Sequence, residues 1–415
     1  MNPTILIIGG GLCGLTAAVE LQKRNLDFKL IEASDRVGGR VHTKYIDGFQ
    51  IDRGFQVFFD SYHTPKKYIA LEALNLHRFD AGAWVGPHKI GNPLKHPELL
   101  FSTLSAADFS FCDKLIIGKL ILKALFQRKP EPSDAQAEIT TLAYLQQLGL
   151  SDRCINAFFR PFFGGVFLDP SLSTSSKFFN FTFRNFVIGN ACLPLKGMQA
   201  IGEALRAQIP AEKILLNTSV QEITENSITL ANGETLAADT IVIATDARNA
   251  TRLLRRSIPL VEKFHSTTTM HFRAPRPPYQ EKMIYLNPHA TGAILHLCPI
   301  SNVCPHYAPV GQSLISVTIN PQALLPSTNL KDAVYQELET LFGTETAHWE
   351  LLDTDTVTDA LPAQPPGSLT PWHRTRALSS SIMLGGDHTE TSSIEGAMLA
   401  GEQIAQIILA NNFLQ

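Results

Sequence analysis

Apolar positions along this chain change period, and the changes mark out its elements. Ile5-Leu6-Ile7-Ile8 is an unbroken apolar run, as expected of a strand buried on both faces of a parallel sheet. Leu15, Ala17, Ala18, Val19 and Leu21 then recur at helical spacing. A second strand, Phe28-Lys29-Leu30-Ile31, ends at Glu32. Residues 41–52 alternate and turn at Asp47-Gly48, which predicts a hairpin. From 63 to about 190 the pattern becomes helical with long loops. It returns to strand, turn and strand over 214–247, and the stretch from about 253 to 374 alternates again, broken by prolines and one helix at 330–342. A last apolar strand, Ile382-Met383-Leu384, leads into a closing helix from about Ile394.

The turn after the first strand carries the chemistry. Gly9, Gly11 and Gly14 stand in the spacing G-x-G-x-x-G, with Leu12 and Cys13 between the last two. One glycine turns the chain, one lets backbone approach a pyrophosphate, and one packs helix on strand. The N–H groups and dipole of the following helix then hold the phosphate charge. Glu32 falls about 20 residues on, where a carboxylate meets a ribose hydroxyl. Strand, turn, helix, strand and acid in this order identify a dinucleotide site.

The next segment, Ala33-Ser34-Asp35-Arg36-Val37-Gly38-Gly39-Arg40, resembles the second nucleotide-contacting element of a large flavoprotein superfamily. That superfamily includes flavin amine oxidases, protoporphyrinogen oxidases and phytoene (carotenoid) desaturases. Gly38 and Gly39 would bring backbone close to the pyrophosphate, and Arg36 or Arg40 would complement its charge. The cofactor implied is FAD. Gly54-Phe55-Gln56 opens a segment similar to the glycine-led aromatic stretch that carotenoid desaturases place beside the flavin ring. Near the C-terminus, Gly385-Gly386-Asp387 followed by Ser393-Ile394-Glu395-Gly396-Ala397 resembles the family's C-terminal flavin signature. There Asp387 would bond the ribityl or pyrophosphate portion, and the helix from Ile394 would aim its N-terminus at the flavin. By the same resemblance Val220 contacts the adenine through its backbone and Thr245 ends a flavoprotein strand. Asp246 departs from the glycine frequent at its position.

The resemblance implies an α/β protein: a Rossmann-like FAD-binding domain with a parallel sheet, and a mixed substrate domain of antiparallel sheet and helical cap. Because both chain ends carry flavin signatures, the FAD-binding domain is expected in three pieces: 1–62, 195–252 and 376–415. The helical cap is expected at 63–194 and the antiparallel half at 253–375. Ten phenylalanines between 158 and 186 read either as core or as the wall of an apolar channel, and Pro161 and Gly164-Gly165 argue against one unbroken helix. The apolar run 115–126, with Arg128 and Lys129 behind it, is too short to span a bilayer. It suits a cap helix buried against its neighbours, the preferred reading, or an interfacial helix.

Composition narrows the function. The chain has 415 residues, 44% hydrophobic and 18% charged, enough for a large core and two domains. A net charge of −3 leaves no footprint for nucleic acid. Six cysteines lie without zinc or CxxC spacing, so no metal site is expected and a cytoplasmic, reducing setting fits. With the first strand beginning at Ile5, no leader peptide is expected. A membrane-surface association stays open, without a transmembrane segment.

Three functions compete. The resemblance leans toward an FAD-dependent desaturase or dehydrogenase, closest in motif to plant-type carotenoid desaturases. It would take a hydride from a C–H bond of an apolar small molecule, a polyene or tetrapyrrole precursor, and pass electrons to quinone or oxygen. A flavin amine oxidase would place a lysine on the strand at 267–272, which has none, and an aromatic pair around the amine, for which Trp372 stands alone. A non-catalytic binding protein of this architecture, like the Rab escort proteins, would not keep both flavin signatures. His271 and His388 are the candidate bases, each equally readable as a structural histidine.

Overall fold

A computed structural model of the chain describes residues 4–86, 88–91, 109–126, 138–257, 260–287, 292–321, 329–368 and 374–412. The fold is α/β, with two large sheets of different character among the five formed by the described residues. Six strands form the first, in the order Ile214–Leu215, Phe28–Ile31, Ile5–Ile8, Thr240–Ile243, Ile382–Leu384, Arg376–Ala377. All neighbours are parallel except the last pair. Both faces of its centre are covered, so Ile5, Leu6, Ile7 and Ile8 are all buried and read as one apolar run. The helices Leu12–Lys23 and Ile394–Asn412 pack together on one face, where Gly401 approaches the Cys13 carbonyl too closely for any side chain. The sheet therefore joins strands from near both chain ends and from the middle.

The second sheet has seven strands, in the order Glu350–Pro362, Phe264–Ala274, Ser313–Ile319, Ile294–Pro299, Ile284–Leu286, Gly82–Val85, His88–Gly91. It is antiparallel except where Ile284–Leu286 meets Gly82–Val85. The stretch 63–194, expected to be a helical cap, thus also supplies two strands of this sheet. They are four residues each, too short for their alternation to stand out. One face packs on helix Leu330–Phe342 through Met270, Phe272, Ile315, Val317 and Leu338. The hairpin is as the pattern predicts: Thr43–Ile46 pairs with Phe49–Asp52, and Asp47 and Gly48 both take positive φ.

The phenylalanine-rich stretch is core. Phe159, Phe163, Phe167, Phe178, Phe179 and Phe183 bury one another between helices Arg160–Phe167 and Ser176–Ile188. As expected, the stretch is not one unbroken helix: Arg160–Phe167 ends before Ser176–Ile188 begins, although the chain stays helical across Pro161. The π-helical turn Ile155–Phe159 just before it loosens the i→i−4 ladder that a proline ring would otherwise strike. Helix Phe111–Phe126 departs from the buried-helix expectation. Asp113, Leu120 and Ala124 face inward, while Phe111, Leu115, Leu122, Leu125 and Phe126 are exposed. Arg128 and Lys129 lie outside the described residues, as does Trp372.

Candidate functional site

At the C-terminal end of the first strand the chain builds a cradle of backbone. Gly9 sits at φ +108°, and a Cβ there would lie 2.8 Å from the Ala244 carbonyl oxygen. Gly14 faces the Gly9 carbonyl at a distance no side chain tolerates, so helix Leu12–Lys23 is seated directly on the strand. Gly11 differs from both. It has ordinary extended backbone, and a Cβ there would meet nothing within 4 Å. No side chain caps this helix, so its first N–H groups open onto that space.

The second glycine pair closes on the first. The Gly38 N–H donates to the Gly10 carbonyl at 2.9 Å, Gly11 and Gly38 form a parallel bridge, and the Cβ position of Gly39 (φ +61°) lies 3.4 Å from Gly11 Cα. Glu32 ties the loops together: the Gly10 N–H donates to its Oε2 at 2.7 Å, and the Ser34 N–H and hydroxyl to its Oε1 at 2.8 and 2.7 Å. Its carboxylate thus both organises the cradle and keeps an unfilled lone pair on Oε2. Ala33 lies between these two anchors, and the half-exposed Arg36 rests near the Gly39 carbonyl.

The two ends of the sequence meet here. Arg40 donates from Nη2 to Asp387 Oδ1 at 2.6 Å and from Nη1 to the Ala360 carbonyl at 2.9 Å. Asp387 is buried and Arg40 one-third exposed, so the pair stands at the edge of the cradle. Gly386 packs against the His388 ring, and Ser393 caps the last helix by accepting from the Gly396 N–H at 3.0 Å. Ile394 and Ala397 follow on its first turn, both half-buried and packed against the core around Cys13 and Leu12. Thr245 lies beside Gly9 and Gly386. Val220 is buried on strand Val220–Ile223, its carbonyl accepting from Arg252. Burial pushes the Cys13 thiol far up, so it is neutral packing rather than a nucleophile.

A small cavity of about 10 Å³, room for about one water, lies between the segment after the hairpin and the second sheet, bordered by Asp52, Gly54, Phe55, Gln56, His271, Tyr307 and Ser316. Gly54 takes φ +73° and touches Thr267. Gln56 is fixed by donating to the Arg40 and Arg53 carbonyls at 3.0 and 2.7 Å. Phe55 meets His296 edge to face at 4.9 Å.

The sheet face opposite helix Leu330–Phe342 is polar. Thr269 and His271 pair across the ladder with Thr318 and Ser316, and His296 pairs with Thr318. All five are buried. Thr269 Oγ1, Thr318 Oγ1, His271 Nδ1 and His296 Nδ1 have no hydrogen-bond partner. Both ring nitrogens of His388 are likewise unpaired. Buried polar atoms are rarely left so, and several together mark where a ligand's polar atoms belong. The open side of Gly11 and the unpaired His388 ring beside Gly386 fit a nucleotide and flavin in the cradle.

His271 and His388 do not come together: the first sits on strand Phe264–Ala274, the second beside Asp387. Burial lowers the His271 pKa to about 4 and that of His296 to about 3, and also lowers that of His388. Both sheet imidazoles are therefore neutral at pH 7 and weakly basic. Reading the sequence one residue at a time missed His296, Thr269 and Thr318. The signal was present in the alternation of Thr267, Thr269 and His271 against Met270 and Phe272, which puts polar and apolar side chains on opposite faces.

Comparison with known proteins identifies the family and the fold. The model of the family described as flavin containing amine oxidoreductase matches residues 12–409. Coproporphyrinogen III oxidase of Bacillus subtilis (strain 168) is 23% identical over 75% of this chain and 76% of its own length. Hydroxysqualene dehydroxylase of Rhodopseudomonas palustris is 25% identical, with 99% of each chain covered. An oxidoreductase from Methanosarcina mazei shares the fold, with a TM-score of 0.73 and 19% identity over 97% of this chain and all of its own.

Proposed function

The chain belongs to the flavin containing amine oxidoreductase family and is an FAD-dependent oxidoreductase, and from that premise we propose that it dehydrogenates a largely apolar small molecule carrying at least one hydrogen-bonding group. Gly9, Gly11, Gly14, Glu32, Gly38, Gly39, Arg40 and Asp387 would hold the cofactor. The chemistry a bound FAD supplies is two-electron oxidation by hydride acceptance; the protein positions the substrate and tunes its surroundings.

The observation that carries the reading is the row Thr269, Thr318, His296 and His271, buried and unpaired on the cavity side of the second sheet. A pure hydrocarbon would leave each of these atoms desolvated, at about 1–3 kcal/mol apiece. A substrate with a hydroxyl, carboxylate or pyrrole nitrogen would satisfy them, and Phe55 and Leu314 beside His271 offer its apolar part contact. Support comes from relatives named for a porphyrinogen and for a hydroxylated squalene. An amine substrate fits less well. Strand Phe264–Ala274 has no lysine, and Asp52, the carboxylate bordering the cavity, already accepts from Thr43, the Met198 N–H and Tyr307.

Helix Phe111–Phe126 supports the apolar half of the reading. Phe111 and Phe126 are 75% and 80% exposed, and Leu115 and Leu122 lie between them on one stripe with Lys119 and Lys123 along its side. An apolar stripe with basic flanks is built for an anionic lipid surface, from which such a substrate is drawn. No helix among the described residues is long and apolar enough to cross a membrane.

The test is anaerobic flavin reduction against three substrates: coproporphyrinogen III, a hydrocarbon polyene and a primary amine. Coproporphyrinogen III, which has hydrides to give and polar groups to be held, should bleach the flavin fastest. Rapid bleaching by the amine, or by the hydrocarbon alone, refutes the proposal. Binding to vesicles containing phosphatidylserine, lost when Leu115 and Leu122 are changed to Glu, tests the lipid contact.

A further inference from the structure

Away from the cradle, His77, Cys304 and His306 converge at the protein surface. We propose that these three side chains form a binding site for a divalent transition-metal ion, with zinc the occupant their chemistry suits. One ligand atom from each lies within 4.8 Å of the other two. Three points so spaced fit within about 2.8 Å of a common centre, against Zn–N of about 2.0–2.1 Å and Zn–S of about 2.3 Å. Each side chain has to move by well under 1 Å. Two of the three can do so freely, since His306 is exposed and His77 only half-buried.

The surroundings are those of a site rather than of a chance meeting. Pro305 fixes the backbone between Cys304 and His306, and the Tyr307 N–H closes the turn onto the Cys304 carbonyl at 3.0 Å. The spacing Cys-Pro-His therefore presents sulfur and imidazole from one rigid turn. His77 arrives from strand His77–Arg78, its ring close to that of His306 at 6.1 Å between centroids. Cys304 lies inside and His306 outside, so the ion has a buried anchor, a solvent-side entry and room for water as fourth ligand. One sulfur and two imidazoles select zinc, cobalt or copper over magnesium or calcium, which take oxygen. Because one ligand comes from residue 77 and two from 304–306, no local sequence spacing announces the set.

An ion there would pin strand His77–Arg78 to the turn leading into Tyr307. The Tyr307 hydroxyl donates to Asp52 Oδ2 at 2.8 Å, and both border the cavity. The ion touches neither substrate nor flavin site, so its role is to brace one cavity wall.

The test uses the full-length, FAD-loaded protein, stripped with chelator and titrated with zinc chloride or cobalt chloride. Expected are one zinc per chain, a rise in melting temperature on zinc addition, and a sulfur-to-cobalt charge-transfer band. His306→Ala at the surface and Cys304→Ser inside should each weaken zinc affinity at least about tenfold, with the flavin spectrum unchanged. Cys304→Ser should also remove the cobalt band. Substoichiometric zinc, or equal binding by wild type and the His306→Ala variant, overturns the proposal. Should Cys304→Ser fail to fold, the His306→Ala comparison decides alone.

Discussion

Gly11→Ala separates a residue that serves the fold from one that serves a ligand. Gly9, Gly11 and Gly14 look alike in sequence, but the structure gives each a different neighbour. A methyl at Gly14 strikes the Gly9 carbonyl, and one at Gly9 meets the Ala244 carbonyl while forcing an L-residue to φ +108°. Either change should unsettle strand-on-helix packing by about 1–3 kcal/mol or more. At Gly11 the backbone is extended at φ −71°, which alanine adopts freely, and no protein atom lies within 4 Å of the new methyl. The apoprotein should therefore keep or gain stability, by about 0.4–1 kcal/mol from the stiffer unfolded chain. The same methyl occupies the space onto which the uncapped helix opens, where the pyrophosphate of FAD is placed. Overpacking of about 1–3 kcal/mol corresponds to roughly 5- to 150-fold weaker FAD binding. Urea unfolding of the apoprotein and fluorescence titration with FAD measure the two effects separately. Unchanged FAD affinity in Gly11→Ala, or an apoprotein destabilised as much as Gly14→Ala, would refute the placement of the cofactor.

Other outcomes follow from the same geometry. Arg40→Met removes the partner of the buried Asp387 and the bond to Ala360; because Arg40 is one-third exposed, the loss should be about 1–3 kcal/mol, read by urea unfolding, and no change would mean the chain ends are joined by other contacts. Thr269→Val with Thr318→Val replaces two unpaired hydroxyls by methyls, so the apoprotein should gain about 1–3 kcal/mol per site while turnover of an oxygenated substrate falls; a loss of stability would show that both hydroxyls are paired. Burial raises the Asp52 pKa to about 6 from 3.8. An acid with a raised folded-state pKa takes up a proton on folding, so its contribution is present below about pH 4 and lost as pH rises through about 6. His271 and His296, with lowered values, act in the opposite direction, so the measurement is the difference between wild type and Asp52→Asn. That difference should change between pH 4 and 6 and stay level above; a flat difference throughout would refute it.

Much of this protein was legible without coordinates, where the signal was local. The G-x-G-x-x-G turn, the strand ending at Glu32, the Asp47-Gly48 hairpin and helix Leu330–Phe342 each depend on neighbours within a few residues, so period and turn chemistry suffice to read them. Burial on both faces of a parallel sheet also wrote itself into continuous apolar runs. What lay beyond reach depends on which distant segments meet. Composition could not say that the phenylalanines of 158–186 fill one another's space, since core and cavity wall ask for the same side chains. Nor could it say that helix Phe111–Phe126 turns Leu115, Leu122 and Leu125 outward, because an apolar stripe looks the same whether protein or lipid covers it. Gly82–Val85 joins a sheet whose other strands come mostly from beyond residue 263, and four residues carry too little alternation to reveal it. The pairing of Arg40 with Asp387 spans 347 positions. The unpaired row across three strands, and the convergence of His77 with Cys304 and His306, exist only once register and sheet order are set. The sequence determined the cofactor class through short-range backbone geometry; tertiary structure decided what faces the cavity, because that is a matter of long-range pairing.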